Sequence, residues 1–406
     1  ALTADVTIDR DVTLNLNGKT LTTGSYSLKV AGGDVTIRDG SPEQSGTITG
    51  TDYIINMSTT GGDKVTLESG TLRGTGWTAV LRVAGDDIFE MTGGTVEQTQ
   101  SNATTVVQVN ARGIASVTGG RIQGGTRGIS LAAATSRLTV GRLPAGETQT
   151  EAEAGLVYVS GVYASNASAS VTLNSGTVGR VFGQVGTGFV LKCWFEQDVS
   201  SNLPAGVMCV AEGDHYIVKA LTEEDAAAKI GDVYYGSLVK AAASLESGQT
   251  LTLLKDYTGT ETVKVTVDCA TVDLNGHSIT NTAEDGYGLE LHTSYATSTG
   301  NTDGISIVNQ GDAVSRITAA VPVYAMSGNS SNLLPVSLGQ NIELSSTGAD
   351  GSCLELGTSA CMAYNDTVAG YIKTGGFLAT HSDGKQYVHG SFAPAAKNDV
   401  NATAGL

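Results

Sequence analysis

Runs of three to five apolar or β-branched residues alternate with Gly/Asn/Asp breaks along most of the chain, a strand pattern without helical period. One stretch offers strands at 71–73, 79–83 and 88–91, separated by Gly74-Thr75-Gly76 and Gly85-Asp86-Asp87. The next offers 95–98, 106–110 and 115–118. A phrase recurs with them: Ser45-Gly46-Thr47-Ile48, Ser69-Gly70-Thr71-Leu72, Gly93-Gly94-Thr95-Val96 and Gly119-Gly120-Arg121-Ile122. Its second glycines, at 46, 70, 94 and 120, are 24, 24 and 26 residues apart, and a weaker copy, Ser175-Gly176-Thr177-Val178, follows 56 residues later. A period in the twenties with about three short strands per unit is the coil of a parallel β-helix. A β-sandwich would show two-residue hairpin turns and no constant unit length.

The pattern has two interruptions. Residues 144–154, acidic and strand-poor, read as an inserted loop. Around residue 190 the coils stop, and strand-like runs at 189–195, 207–211 and 216–219 precede the one convincing helical text. Thr222-Glu223-Glu224-Asp225 reads as a capping box opening a short alanine-rich turn, and 230–235 as a hairpin around Gly231-Asp232. Ser237 caps a helix predicted over 238–246, with Leu238, Ala241, Ala242 and Leu245 on one face and Gly248 past its end. An amphipathic helix placed just before a new strand series covers the open end of a solenoid.

The series then restarts. Strands at 250–254 and 263–267 lead into Leu274-Asn275-Gly276-His277-Ser278-Ile279-Thr280, which mirrors Leu16-Asn17-Gly18-Lys19-Thr20-Leu21-Thr22 at an offset of 258. Further strands are expected at 287–292, 304–308, 321–326, 341–344, 353–356 and 370–379. The prediction is an all-β chain of two tandem β-helices: a first over 1–188 without its N-terminal cap, a linker and capping segment over 189–248, and a second over 249–406.

Composition removes several function classes. With 40 acidic against 23 basic residues the net charge is −17, which argues against nucleic acid and makes an anionic polymer a poor default partner. Aromatics are 5% of 406 residues, so small and β-branched side chains must fill the interior. The five cysteines form no Cys-x-x-Cys motif and read as free thiols, with Cys193/Cys209 and Cys353/Cys361 as alternative pairs. No apolar run is long enough to span a membrane.

The two Leu-Asn-Gly phrases resemble those of large, repetitive, adhesin-like cell-surface proteins of anaerobic gut bacteria. In such proteins a segment similar to Val233-Tyr234-Tyr235, Leu238, Ala242, Leu245, Gly248 and 250–256 leads directly into a β-helix. Phe195 to Val218, with Leu203-Pro204-Ala205-Gly206, resembles the tail preceding a further copy. The resemblance implies a right-handed parallel β-helix of the pectate-lyase-like kind, in agreement with the general hand of parallel crossovers. It also implies a secreted or surface-displayed module, monomeric and part of a longer polypeptide. The expected role is non-enzymatic, either a stalk or an adhesin with host or dietary glycans as partners. A polysaccharide lyase or glycoside hydrolase working along a β-face, and an inert spacer, are the alternatives.

Candidate chemistry is sparse. Asp34, Asp63 and Asp87 precede the third strand of successive coils and could form a column for calcium, the one cofactor considered. For catalysis the nearest acidic cluster is Asp86, Asp87 and Glu90, but Glu90 alternates with Phe89 and Met91 and should face solvent. Trp77 offers a sugar-stacking ring for ligand binding. Asn17 and Asn275, followed by Gly18 and Gly276, are assigned to corners. The five histidines are scattered and form no metal or general-base group.

Overall fold

A computed structural model describes residues 1–57, 61–142, 148–267, 269–293, 304–327, 334–349, 351–357, 360–365, 368, 371, 377–381, 384–389 and 400–405. They divide into two compact units, 1–204 with 208–219 and 205–207 with 220–406.

In the first unit each strand pairs in parallel with the strand three places later, so three sheets rise together as a parallel β-helix. Sheet A runs through eight strands from Val6–Ile8 to Val181–Gly183, and sheet B through eight from Val12–Asn15 to Val190–Leu191. Sheet C runs from Thr20–Gly24 to Trp194–Phe195, where His215–Ala220 joins antiparallel and Val207–Glu212 follows. Alternation along each strand sends one set of side chains inward. On sheet A the inward row is Leu28, Ile55, Leu81, Val107, Ile129, Val162 and Val181, held in register from coil to coil. All are buried, each worth about 1.5–3 kcal/mol of apolar transfer. Sheet C contributes Leu21, Ile48, Leu72, Val96 and Ile122 in the same manner.

The second unit repeats the scheme with three sheets. Sheet D includes Thr250–Leu253, Thr271–Asp273, Ile305–Val308, Leu334–Leu338 and Ala360–Ala363, sheet E begins at Tyr257–Gly259, and sheet F at Val263–Val265. Ala228–Ile230 and Val233–Tyr235 form the expected hairpin, turning at Gly231 with φ 55°. The helix expected over 238–246 spans Leu238–Ala243 and ends earlier, at Ser244. Ser237 caps it by accepting from the Lys240 N–H, and Leu238, Ala241, Ala242 and Leu245 pack with Leu251, Val263 and Val265 in one core. The helix therefore covers the apolar interior of this unit. Thr222-Glu223-Glu224-Asp225 makes one capped turn, Thr222 Oγ1 accepting from Asp225 N–H at 3.3 Å, and the chain then enters a strand.

One sequence expectation needs correction. The acidic stretch over 144–154 is not loop throughout: Glu151–Leu156 is a helix with a complete capping box. Thr150 Oγ1 accepts from Glu153 N–H at 3.3 Å, while the Glu153 carboxylate accepts from Thr150 N–H at 2.8 Å. The 189–248 stretch is shared between the units at about residue 220, because the hairpin over 207–220 extends sheet C. Of the strand expected over 370–379, residues 370 and 372–376 lie outside the described residues, and a strand is present at Phe377–His381.

Candidate functional site

The Leu-Asn-Gly corners come first because they decide which asparagines are spoken for. Asn17 and Gly18 have φ of 46° and 71°, and Asn275 and Gly276 have 49° and 80°, so both corners pass twice through the left-handed region. Asn15 Oδ1 accepts from Asn17 N–H and from Gly40 N–H, and Asp273 Oδ1 accepts from Asn275 N–H and Gln310 N–H. One coil on, Asp39 Oδ1 accepts from Gly18 N–H and Asn309 Oδ1 from Gly276 N–H, each at 2.7 Å. These residues satisfy backbone donors at a tight corner, a structural role.

The aspartate column is only partly assembled. Register pairs Asp34 with Lys64, not with Asp63, and Lys64 with Ile88. Asp63 and Asp87 therefore stack on each other, with Gly33 in the place expected for Asp34. A ladder links them: Gly33 N–H donates to Asp63 Oδ1 at 3.2 Å, and Asp63 N–H to Asp87 Oδ1 at 3.1 Å. Asp34 instead lies 4.0 Å from Lys64 Nζ. Asp87 is fully buried and its Oδ2 has no hydrogen-bond partner. Burial, with the neighbouring Asp63 and Asp86 charges, pushes its carboxyl up to about 6 against the opposing backbone bonds. Among the described residues no three His, Cys, Asp or Glu side chains gather into a set that could hold a metal ion.

The acidic cluster is dispersed by the fold. Asp86 pairs with Arg112 at 3.1 Å on the surface, Asp87 is inside, and Glu90 pairs with Lys64 at 3.5 Å on the outer face of sheet B. The three carboxylates do not face one cleft. His215 stacks on Trp194 with centroids 3.7 Å apart, and Cys193, Cys209 and Cys353 form no disulfide. Burial pushes the Cys193 thiol far up, so it is an inert core group.

Trp77 is in a different setting. It is 64% exposed, on the corner that leads from sheet C into sheet A. Four successive coils build that corner from residues 25–27, 51–54, 75–80 and 99–104, and the last two are the longest. Thr51, Thr75 and Thr99 hook each corner onto the coil before, their N–H and Oγ1 groups both donating to the carbonyls of Gly24, Gly50 and Gly74. Gly76 is required here, since a Cβ would fall 1.9 Å from Thr51 O. This close approach sets Trp77 beside the corner bearing Tyr53, with the exposed Tyr26 on the coil before.

The corner borders the outer face of sheet A, whose central row is Lys29, Asn56, Arg82, Gln108, Ser130, Tyr163 and Phe182 in register. Tyr53 Oη donates to Gln108 Oε1 at 2.9 Å, two coils away. Ser130 is buried although it points outward, between the larger Gln108 and Tyr163. Nothing in the sequence drew attention to the row except that Asn56, Arg82 and Gln108 are each 26 residues apart, each the next-to-last residue of its strand. The equivalent face of the second unit, sheet F, carries Lys264, Glu290, Tyr324 and Glu355. There Tyr287 stacks on Tyr324 at 4.7 Å, and Lys264 pairs with Glu290 at 2.8 Å.

No family model matches the chain, and neither a curated protein nor a solved structure is similar to it. No helix among the described residues is long and apolar enough to cross a membrane.

Proposed function

We propose that the chain is a non-enzymatic, extracellular module of a bacterial surface protein, adhesin-like in role, that binds host or dietary glycans through sheet A of its first unit. The observation that carries this reading is the aromatic corner: Trp77 at 64% exposure, with Tyr26 and Tyr53 on the two coils before it, beside a row that carries amide and hydroxyl groups. Aromatic faces stack on sugar rings, and amides and hydroxyls supply the donors and acceptors that sugar hydroxyls need. Catalysis lacks a comparable site in this unit, because Asp86, Asp87 and Glu90 point to three different places.

One observation favours an enzymatic alternative. Glu290 and Glu355 lie on either side of Tyr324 on sheet F, two coils apart, roughly 10 Å by strand spacing. That is close to the separation of an inverting carboxylate pair. A glycan array combined with a polysaccharide digestion screen separates the two. Retention without release of reducing ends is expected, weakened by Trp77→Ala. Release of reducing ends that Glu290→Gln abolishes would replace the binding role with hydrolysis.

A further inference from the structure

Sheet A concentrates positive charge in a chain whose net charge is −17. Lys29, Arg82, Arg127 and Arg180 lie on its strands or at their entries. The acidic residues at the same entries are Asp5, already paired with Lys29 at 2.7 Å, and Asp52. The arginines are held in a particular way. The Arg127 guanidinium lies 3.8 Å from the Tyr163 ring centroid, and that of Arg180 lies 4.3 Å from Phe182. Stacking fixes a guanidinium by its face and leaves its N–H edge available to a planar or tetrahedral anion. Arg180 uses one such N–H on Thr126 O, at 3.0 Å.

Arg82 and its neighbour supply the second observation. Arg82 Nε and Asn56 Oδ1, on adjacent coils of the row, are both buried and both without a hydrogen-bond partner. Unpaired buried polar atoms cost stability, so folding alone gives no reason to keep a donor and an acceptor idle side by side. The Tyr53–Gln108 bond joins the coil before Arg82 to the coil after it, which carries the Tyr53 ring across the Arg82 row.

We infer that the glycan is anionic, and that Arg82, Arg127 and Arg180 bind its carboxylate or sulfate groups along sheet A, with Tyr53 as the cover that swings off Arg82 and Asn56. This rests on the glycan-binding reading and specifies its ligand. Arg82, Arg127 and Arg180 lie on or at the entry of every second strand of sheet A, so a polymer laid along the coils meets one about every 10 Å.

The test is affinity electrophoresis of the full chain in gels holding one of five polymers: a polyuronate, its carboxyl-reduced form, a sulfated glycan, its desulfated form, and a neutral glucan. Retention by one or both charged polymers is expected, at least about ten-fold weaker once the charge is removed. Loss on carboxyl reduction identifies carboxylate as the recognised group, and loss on desulfation identifies sulfate ester. Arg127→Gln and Arg82→Gln should each weaken retention about ten-fold or more. Arg82→Lys, which keeps charge but not the planar fork, should give an intermediate value, and Arg137→Gln on sheet B no change. Equal retention by charged and neutral polymers would overturn the anionic assignment and leave glycan binding standing. Retention by none of the five would overturn both. Charge-dependent retention unaffected by the Arg82 and Arg127 variants would overturn the placement on sheet A.

Discussion

The two units share a corner and differ on a face. At the Leu-Asn-Gly corners the same backbone N–H groups are satisfied in the same geometry, Gly18 by Asp39 and Gly276 by Asn309. On the equivalent sheets A and F, the outer row is arginine, amide and aromatic in the first unit but glutamate and tyrosine in the second. The coil is thus maintained by a few corner contacts, while the outward row is free to change sign. What the module recognises has to be sought in the rows, because the repeat carries only the scaffold.

The corners themselves are less interchangeable than their shared half suggests. The second carboxylate oxygen of Asp39 accepts from Gly46 N–H and Ser41 Oγ, so that site offers donors. The amide of Asn309 donates to Ala313 O at 2.8 Å and Asn341 O at 2.9 Å, so that site offers acceptors. Asp39→Ala strands the Gly18, Ser41 and Gly46 N–H groups at the first corner and should lower the unfolding midpoint of the first unit by several degrees, the largest change expected, read by calorimetry. Asn309→Asp turns a carboxylate toward two carbonyls and should cost the second unit about 1–3 kcal/mol in denaturant unfolding. If either swap were neutral, the corners would be satisfied by water and the comparison would lose its basis.

Titration gives the next test, with opposite signs at two buried aspartates of the first unit. Burial alone would raise Asp39, but hydrogen bonds from Gly46, Gly18 and Ser41 outweigh it and hold the carboxyl at about 2. Its contribution is therefore present above the usual carboxylate pKa near 4 and is lost as pH falls toward 2. Asp87, raised to about 6, contributes stability that is complete below about 4 and is lost as pH rises through 6. The first unit should gain stability when the pH drops from 7.5 to 5, by roughly 1 kcal/mol after allowing for screening. Asp87→Asn should flatten that gain, measured as urea midpoints at the two pH values. The smallest effect is expected at Asn15→Asp, within about 0.5 kcal/mol, because its one accepting oxygen is kept and the residue is exposed.

How far the sequence carried the fold follows from the same contrast. Glycines at 46, 70, 94 and 120 mark the coils because the last three have positive φ and at Gly46 a Cβ would lie 2.5 Å from Leu16 Cβ. The cap helix was legible from Ser237 and its apolar face. Its end at Ala243 was not, because Ser244 takes over the last carbonyls before Gly248 can act as the stop. The helix at Glu151–Leu156 was hidden by its acidity, although Thr150 and Glu153 spell its start.

At the candidate sites, matching the letters Gly-Asp aligned Asp34 with Asp63, whereas matching the buried Val35 with Val65 gives the true register. Sheet A's outer row was invisible for a related reason. Asn56, Arg82 and Gln108 keep one spacing, but corners of changing length put Ser130 and Tyr163 22 and 55 residues beyond Gln108, and only strand pairing brings them into line.

Hydrogen exchange of the full chain, with and without a retained glycan, tests the central claim most directly, since it reads both units in one experiment. Protection is predicted at the corners over 75–80 and 99–104 and in the sheet A strands Leu81–Val83 and Thr105–Val109, with sheet F unchanged. Protection confined to Tyr287–Thr293 and Val321–Ser327, around Tyr287 and Tyr324, would contradict it and move the site to the second unit.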